Sequence, residues 1–349
     1  MKLFEKKKDG NRRNFYFCGK RFLSYKKGKA QPLKIQEAKE KTPFEIYEYI
    51  KKYQYVLDKP VETKESVESD YVWQYWGQGE EQAPELVKAC FASVKKYCPD
   101  KNIIVLNDEN VKDYIDIPDF IQDKLQKGII SRTHFSDYLR TCLLAKYGGT
   151  WIDATVYLTD SIPQEIENSD FFVFKPLAYS ECKKVPSMKM LKLLERIPTY
   201  LSPFLCLSSW FIHSKSHNII LEKTKNLMEV YWSKEDSLFD YFLFHYFVTL
   251  AVLNDADCKK MYESMPNLAN RNPHLLQNVL LDIYDEELFD ELKGLSKIHK
   301  LTYRKNEGDD YTFVDKITDI AETTARVGGG GNSLVVCSFF NLRRQRRAS

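Results

Sequence analysis

The sequence predicts an α/β fold, in which a Rossmann-like mixed sheet is flanked by helices, and three observations carry this prediction. The chain has 349 residues and is 43% hydrophobic, so it is long and apolar enough to bury a sizeable core. A β-rich run at 71–76, a helical pattern from Pro84 and a short apolar run at 102–106 have the spacing of a βαβ unit. Farther along, a second helical pattern ends at a glycine pair and leads into a strand of alternating polarity at 150–158.

Ahead of this domain, residues 1–67 are predicted to form a basic arm and a helical extension. Residues 1–40 are rich in lysine and are expected to be irregular. Thr42 and Pro43 then begin a helix that is predicted to run to about Leu57 and to pack on the domain that follows. The apolar face of this helix is formed by Phe44, Ile46, Tyr47 and Ile50.

The main domain is predicted to span residues 68–325. Its first strand is the run at 71–76, which ends at Gly77. Pro84 suits the first turn of the next helix, because a backbone N–H is not needed there. The apolar residues on one face of that helix are Leu86, Val87, Cys90, Phe91 and Val94. The run at 102–106 supplies the second strand of the unit.

A long helix capped by Thr133 is predicted next, since its apolar residues recur at i, i+3, i+4, i+7 and i+8 before Gly148 and Gly149 stop it. In the strand at 150–158 the aliphatic residues take alternate positions, which leaves Asp153 on the opposite face. Further strands are predicted at 171–174 and 210–213, with helices near 216–232 and 236–253.

The charge of the chain is concentrated at its two ends. The net charge is +3, but residues 1–30 carry +9 and four arginines among the last seven residues add +4, so the stretch between them carries −10. Proteins that bind nucleic acid spread basic charge over the folded body, so nucleic acid is not expected as a partner. Residues 326–349, which include four consecutive glycines, are predicted to be a flexible tail.

The predicted location is cytoplasmic, with peripheral contact at the inner face of the plasma membrane. The longest apolar stretch, 241–253, is shorter than the roughly 20 residues of a spanning helix, and the first residues lack the apolar core of a secretion signal. Eight scattered cysteines without a C-x-x-C pair fit reduced thiols and argue against a cysteine-bound zinc. Basic and aromatic residues mixed over 1–30 suit an anionic membrane surface; the alternative is a solvated arm that only aids solubility.

The residues that indicate chemistry are Ser136-Asp137-Tyr138-Leu139-Arg140 and the run Lys146 to Thr155. Asp137 and Arg140 are three residues apart and therefore share a helical face. A carboxylate that accepts from sugar hydroxyls beside a guanidinium that donates to oxygens can hold a sugar phosphate. The alternative is an ordinary ion pair on a solvated helix face.

This order of residues resembles the S-D-x-x-R … Y-G-G-x-[YW]-x-D motif of sugar-nucleotide glycosyltransferases with a GT-A fold. The resemblance is to bacterial capsular polysaccharide synthesis proteins related to glycosyltransferase family 32. It covers Tyr71 to Tyr303 and begins at Trp73-Gln74-Tyr75-Trp76-Gly77, which is similar to the family's W-Q-x-W-G element. It implies a GT-A nucleotide-diphospho-sugar transferase fold and a hexosyltransferase-like enzyme that retains the anomeric configuration.

The function implied by the resemblance is transfer of a sugar from a nucleotide-sugar donor to a hydroxyl of a growing capsular or other cell-surface polysaccharide. The acceptor would be a glycan or a lipid-linked glycan. Two rival functions stay open. One is a sugar-nucleotide or glycan binding protein that lost catalysis, and the other is a sugar-phosphate transferase that releases a nucleoside monophosphate.

Asp153 stands where the resemblance places the first acid of a D-x-D motif. Such a carboxylate meets the donor's ribose or sugar and helps hold a divalent metal, Mn²⁺ or Mg²⁺, at the diphosphate. The second acid is replaced by Thr155, and one carboxylate is a small ligand set for a hard cation. His299 could add a metal ligand and Lys300 could offset the diphosphate charge, because they resemble a basic segment of the family; the alternative is a surface basic patch.

The resemblance assigns catalytic roles to Asp137, Arg140 and Asp153. The donor-binding candidates are Trp73, Gln74, Tyr75, Trp76, Gly77, Asp137, Arg140, Gly148, Gly149, Asp153 and Lys300, and the metal candidates are Asp153 and His299. An aromatic ring that stacks on the base contributes about 1–3 kcal/mol. Side chains alternate along a strand, so Trp73 and Tyr75 share one strand face, and that face can belong to the core. Only one of the three rings is therefore expected to touch the base. The glycine pair would let backbone approach the donor, or it only ends the helix.

Asp240 and His245 resemble another recurring segment of the family and could approach the reacting sugar. The alternative for His245 is a buried, hydrogen-bonded histidine on an apolar helix.

Overall fold

The structure is a computed structural model that describes residues 4–9, 12–17, 20–26, 43–61, 64–176, 207–303 and 310–328. The chain divides into two units, Met1–Glu45 and Ile46–Ser349.

The first unit contains an antiparallel sheet of the strands β1 (Phe4–Asp9), β2 (Arg12–Phe17) and β3 (Lys20–Lys26), paired in that order. Asn14 of the middle strand lies opposite Lys7 on one side and Ser24 on the other. The expectation of an irregular segment over 1–40 is therefore wrong for these strands. The strands also contain aromatic residues that favour strand structure, among them Phe15, Tyr16 and Phe17 in β2, and Gly10-Asn11 between β1 and β2 is a hairpin signal.

Helix α1 (Pro43–Lys51) confirms the predicted start at Pro43 but ends earlier than Leu57. A 3₁₀ turn at Gln54–Asp58 continues the segment. Ile46 and Ile50 are buried in the core of the second unit.

Within the described residues, the second unit is built on a mixed five-stranded sheet with the order β5-β4-β6-β9-β8. The strands are β4 (Tyr71–Tyr75), β5 (Asn102–Leu106), β6 (Gly149–Ile152), β7 (Val156–Leu158), β8 (Phe171–Val173), β9 (Phe211–Ser214) and β10 (Ile298–Lys300). The helices are α2 (Glu85–Tyr97), α3 (Asp119–Gln126), α4 (Arg132–Tyr147), α5 (Gln164–Glu167), α6 (Ile219–Lys234), α7 (Leu243–Asn254), α8 (Ala256–Ser264), α9 (Leu275–Val279), α10 (Glu286–Leu295) and α11 (Phe313–Gly328). Strand β4 runs parallel to β5 and β6, whereas β9 is antiparallel to β6 and β8. The βαβ unit is confirmed, and so is the mixed sheet flanked by helices.

Both faces of this sheet are buried, because helices cover each of them. Trp73 and Trp151 point to the layer of α4, α6 and α7, whereas their neighbours Val72 and Ile152 point to the layer that includes Val94 of α2. Side chains alternate along a strand, so each strand contributes to both layers.

The strand predicted at 150–158 is interrupted, which corrects that expectation. Its first half is β6, and its second half, β7, leaves the main sheet to pair with β10. The chain turns between them at Asp153, where the N–H of Val156 donates to the Asp153 carbonyl at 2.9 Å. The alternating pattern continues through the turn because both halves are buried, so the sequence alone does not reveal the break.

Helix α4 is capped by Ser131, whose hydroxyl accepts from the His134 N–H at 3.4 Å, rather than by Thr133. The helix ends at Gly148, as predicted. Gly148 and Gly149 have φ angles of +70° and +95°. A Cβ on Gly149 would overlap the carbonyl oxygen of Tyr71 in the adjacent strand. The pair therefore lets two backbone segments pack directly against each other.

We expect Gly149→Ala to lower the free energy of unfolding by at least about 2 kcal/mol, since it adds an overlap to a positive φ. Gly128→Ala is the matched control: Gly128 has φ +71° and nothing lies within 4 Å of a Cβ there, so about 1 kcal/mol is expected. Urea unfolding measures both. Equal losses would show that the contact with Tyr71 does not matter.

The predicted tail at 326–349 lies outside the described residues from 329 onward, and 326–328 belong to α11. Among the helices that the structure describes, none combines the length and apolarity needed to span a bilayer.

Candidate functional site

A cavity of about 720 Å³ opens at the carboxyl ends of the parallel strands β4 and β6. Ligands of α/β sheets characteristically bind at this edge, and the volume is that of a small-molecule pocket. Its walls come from the end of β4 and the residues after it, the first half of α4, the turn after β6, the segment before β9, the start of α7, residues from Asn270 into α9, and the end of β10 with the residues after it. A second cavity, of about 590 Å³, lies beside Tyr71 and Tyr147, and none of the predicted site residues is among the described residues that line it.

Four charged side chains of the described residues form a row in the larger cavity. Arg140 Nη1 lies 3.0 Å from Asp137 Oδ1, and Arg140 Nη2 lies 3.3 Å from Asp153 Oδ1. Lys300 Nζ lies 2.7 Å from Asp153 Oδ2. The row therefore alternates in charge: Asp137, Arg140, Asp153, Lys300. The side chains of Arg140 and Asp137 are only 4% and 9% exposed, which excludes the alternative of a solvated surface pair.

Arg140 is held in place by its own helix and by the segment before β9. Its Nε and Nη2 donate to the carbonyl and hydroxyl oxygens of Ser136 at 3.1 and 2.9 Å, and its Nη1 donates to the Ser209 carbonyl at 2.8 Å. The guanidinium carbon also lies 5.0 Å from the centre of the Trp151 ring. These contacts fix the orientation of the guanidinium before any ligand arrives.

The surroundings shift the pKa values of Asp137 and Asp153 in opposite directions. Burial raises the pKa of Asp153, but the charges of Lys300 and Arg140 and hydrogen bonds from Lys300 and Trp151 outweigh burial and hold it below the usual range. Burial raises the pKa of Asp137 to about 7, although the charge of Arg140 opposes the shift. Asp153 is therefore ionised, whereas Asp137 can hold a proton near neutral pH.

The raised pKa predicts a pH-dependent stability. From pH 3.8 to about 7 the folded chain keeps a proton on Asp137 that the unfolded chain releases, so this carboxyl lowers the free energy of unfolding as pH rises, by on the order of 1 kcal/mol per pH unit. Asp137→Asn removes the effect, so the variant gains stability relative to wild type over this range. Urea unfolding at pH 5, 6 and 7 tests this, and a pH-independent difference between the two proteins would contradict it.

Only the last part of the segment predicted to bind the base reaches the cavity, because the rest is buried. Tyr75, Trp76 and Gly77 line the cavity, whereas Trp73 and Gln74 are fully buried and do not line it. Trp73 donates its indole N–H to the Gly148 carbonyl at 2.9 Å and packs under α4. This corrects the assignment of Trp73 and Gln74 as donor contacts, because β4 is covered on both faces and only its carboxyl end reaches the cavity. Trp76 has the better position for a base.

Gly148 and Gly149 also lie away from the cavity. They are at the opposite end of α4, against the backbone of Tyr71 and Ser216. This corrects the expectation that the two glycines let backbone approach a ligand. Their missing side chains make space for neighbouring backbone at the end of the helix, which agrees with the alternative that they only end it.

His299 is not brought to Asp153. Residues alternate along β10, so Lys300 reaches the cavity while His299 is fully buried on the other side, with Nε2 3.2 Å from Thr159 Oγ1. Burial lowers the pKa of His299 to about 4, so the ring is neutral. This corrects its assignment as a metal ligand beside Asp153.

A divalent metal fits the residues around Asp153 poorly. Its nearest polar neighbours are the Lys300 ammonium, the Arg140 guanidinium and the Trp151 indole N–H, all of which are donors. Across the part of the chain that the structure describes, no three His, Cys, Asp or Glu residues are grouped as a metal site.

His245 lines the cavity, and burial lowers its pKa to about 3, so the ring is neutral. Asp240 does not line it, and its Oδ1 accepts the Phe242 N–H at 2.9 Å at the start of α7. His245 Nδ1 is buried with no hydrogen-bond partner among the described residues, so the hydrogen-bonded alternative does not account for this ring nitrogen.

Sequence reasoning missed Trp210 and Thr302. Within the described residues, the Trp210 indole N–H, the Thr302 hydroxyl and the Trp76 indole N–H are buried atoms on the cavity wall without a hydrogen-bond partner. A buried polar group without a partner is costly, so these groups are suited to a polar ligand. The available signal was position: Trp210 directly precedes β9, and Thr302 follows Lys300 by two residues.

Comparisons with known proteins place this geometry in context. The family model described as "Capsular polysaccharide synthesis protein" matches residues 22–317. No curated protein matches the chain. A solved structure titled "PaToxG Glycosyltransferase" is similar at 12% sequence identity over 71% of this chain and 91% of that chain, with a TM-score of 0.33. So low a TM-score supports no transfer of fold or of residue roles.

Proposed function

The chain belongs to the capsular polysaccharide synthesis protein family, and from this premise we propose that it is a glycosyltransferase. It moves a sugar from a nucleotide-sugar donor to a hydroxyl of a growing capsular or other cell-surface polysaccharide. The observation that carries the proposal is the row of Asp137, Arg140, Asp153 and Lys300 in a cavity at the carboxyl ends of parallel strands, with Asp137 and Arg140 buried and Asp153 and Lys300 partly exposed.

In this proposal the donor lies across the row. In the transfer, the bond between the anomeric carbon and the diphosphate oxygen breaks with its electron pair on the diphosphate. The oxygen of the acceptor hydroxyl forms the new bond to the anomeric carbon and passes its proton to the departing diphosphate. Arg140 and Lys300 stabilise the charge that gathers on the departing diphosphate. Both side chains are already oriented by their partners, so little reorganisation is needed as that charge develops.

The carboxyls orient the sugar. Asp153 is ionised and therefore accepts from hydroxyls of the ribose or the sugar. Asp137 either accepts or donates, depending on its protonation. Trp76, whose ring meets Tyr303 edge-on at 5.7 Å between centroids, is the stacking surface for the base. The parallel strands β4, β5 and β6, with the cavity at their carboxyl edge, support the further proposal that the sheet is that of a GT-A fold.

Identification of the released nucleotide tests the proposal. The protein is incubated with a panel of nucleotide sugars and an acceptor glycan, and the products are separated by chromatography. A nucleoside diphosphate is expected. A nucleoside monophosphate would instead establish a sugar-phosphate transferase, and tight donor binding without any release would establish a binding protein.

The first unit supports a proposal about location. Residues 1–30 carry +9 and mix basic with aromatic residues, so they can contact an anionic membrane near a lipid-linked acceptor, at about 1 kcal/mol for each basic residue engaged. Co-sedimentation with anionic vesicles of the full chain and of a chain that begins at Lys41 tests this. Equal binding by both, or binding by neither, would remove the membrane role and leave the glycosyltransferase proposal intact.

A further inference from the structure

We propose that the Lys300 ammonium takes the place of the divalent metal, so that the nucleoside diphosphate is bound and released without a metal ion. The inference rests on the proposed function and concerns the same site. It names the group that neutralises the diphosphate.

The position of Lys300 carries the inference. Its Nζ lies 2.7 Å from Asp153 Oδ2 and 2.7 Å from Thr155 Oγ1. It therefore bridges the first and third side chains of Asp-Ala-Thr, which are the two positions that a D-x-D motif would direct at a metal. An ammonium has three N–H donors, so one remains for a phosphate oxygen. The side chain is 19% exposed and reaches the cavity.

The backbone holds Lys300 in this position. Strand β10 pairs with β7 so that Lys300 lies opposite Val156, and the N–H of Leu301 donates to the Thr155 carbonyl at 2.8 Å. Lys300 therefore belongs to a strand that is hydrogen-bonded to the residues directly after Asp153. The distance between the two side chains is set by this strand pairing and does not depend on the conformation of a loop.

The groups around Asp153 are unfavourable for binding a hard cation. Oδ1 accepts from Trp151 Nε1 at 2.8 Å and faces Arg140, while Oδ2 faces Lys300. Mg²⁺ and Mn²⁺ need several oxygen ligands, and a divalent ion here would meet two fixed positive charges. Asp137 cannot compensate, because it lies on the far side of Arg140.

The charge balance supports the replacement. A divalent metal held by two carboxylates has no net charge before the donor binds. The row of Asp137, Arg140, Asp153 and Lys300 has a net charge of +1 when Asp137 is protonated and of zero when it is ionised, so it attracts a diphosphate at least as well. Thr155 in place of a second acid agrees with this charge balance, because a second carboxylate is not needed when the Lys300 ammonium supplies the positive charge.

Calorimetric titration of the full chain with UDP, GDP, ADP and CDP, in EDTA and in Mn²⁺, tests the inference. The nucleotide that binds is expected to have the same Kd in both buffers, within about twofold. Lys300→Met keeps the aliphatic stem and is expected to weaken binding at least about tenfold in both buffers. Lys297→Met is the control, since Lys297 pairs with the exposed Asp160 and does not line the cavity, and it should bind like wild type.

The variant Thr155→Asp with Lys300→Ala should restore the two-carboxylate site, so it is expected to bind the nucleotide only with Mn²⁺, and to retain Mn²⁺ as measured by electron paramagnetic resonance. Wild-type binding that requires Mn²⁺, unchanged binding by Lys300→Met, or a double variant indifferent to Mn²⁺ would each overturn the inference and leave the glycosyltransferase proposal standing. Failure of every nucleoside diphosphate to bind in either buffer would overturn both.

Discussion

Replacing Arg140 by alanine is expected to lower turnover of the donor by at least about a hundredfold. Arg140 contacts both carboxyls of the row, at 3.0 and 3.3 Å, and is oriented by Ser136 and Ser209. Loss of a preorganised positive charge at a developing negative charge commonly costs this much. In the proposed reaction the variant lacks the cation that faces the departing diphosphate, so the effect should appear in kcat and in kcat/KM.

The control for Arg140→Ala is Lys146→Ala in the same helix. Lys146 is exposed at the far end of α4, where it donates to the Tyr114 carbonyl at 2.9 Å, and it does not line the larger cavity that holds the charged row. We expect nearly wild-type turnover from it. Thermal unfolding of both variants separates lost chemistry from lost fold. Near wild-type turnover by folded Arg140→Ala would contradict the assignment of this residue.

Asp153→Asn is expected to produce a loss of similar size, at least about a hundredfold in turnover, with little change in shape. The amide is neutral, so Arg140 and Lys300 lose their shared anion, and one of the two acceptor atoms becomes a donor facing cations. The two cations then repel each other, and the ligand-orienting geometry is disturbed. Steady-state kinetics over pH 6–8 should show the loss throughout, because the pKa of Asp153 is held below its usual range.

Asp160→Asn is the control for charge removal, since Asp160 is an exposed partner of Lys297. The double variant Arg140→Ala/Asp153→Asn adds a second test. Residues in direct contact act as a unit, so the double variant should lose much less than the product of the single losses. Full multiplication of the two losses would indicate that the two side chains act separately.

The features that the sequence predicts well are local. Asp137 and Arg140 share a face because the helical period requires it, and the glycine pair ends α4 because a positive φ is cheap for glycine. The βαβ unit is predicted for the same reason, since its apolar residues repeat over short distances.

The features that the sequence does not predict depend on distant segments. Lys300 reaches Asp153 across 147 residues through the β7–β10 ladder, and no local pattern records that pairing. Trp73 and Trp76 look equally suited to a base, but the helices that cover both sheet faces bury Trp73. The alternation of side chains along a strand shows which residues share a face of the sheet. It does not show which end of the strand reaches the cavity.

The attachment of Lys300 to a late strand has a consequence for synthesis of the chain. A ribosome completes Asp137, Arg140 and Asp153 long before it reaches β10. Until then the nascent chain has a carboxylate at the turn after β6 without its lysine partner, and the cavity lacks Thr302 and Tyr303. Contacts of such sequence separation form late in folding. We therefore expect a fragment that stops before β10 to lack a complete form of the site that we propose for the nucleotide sugar.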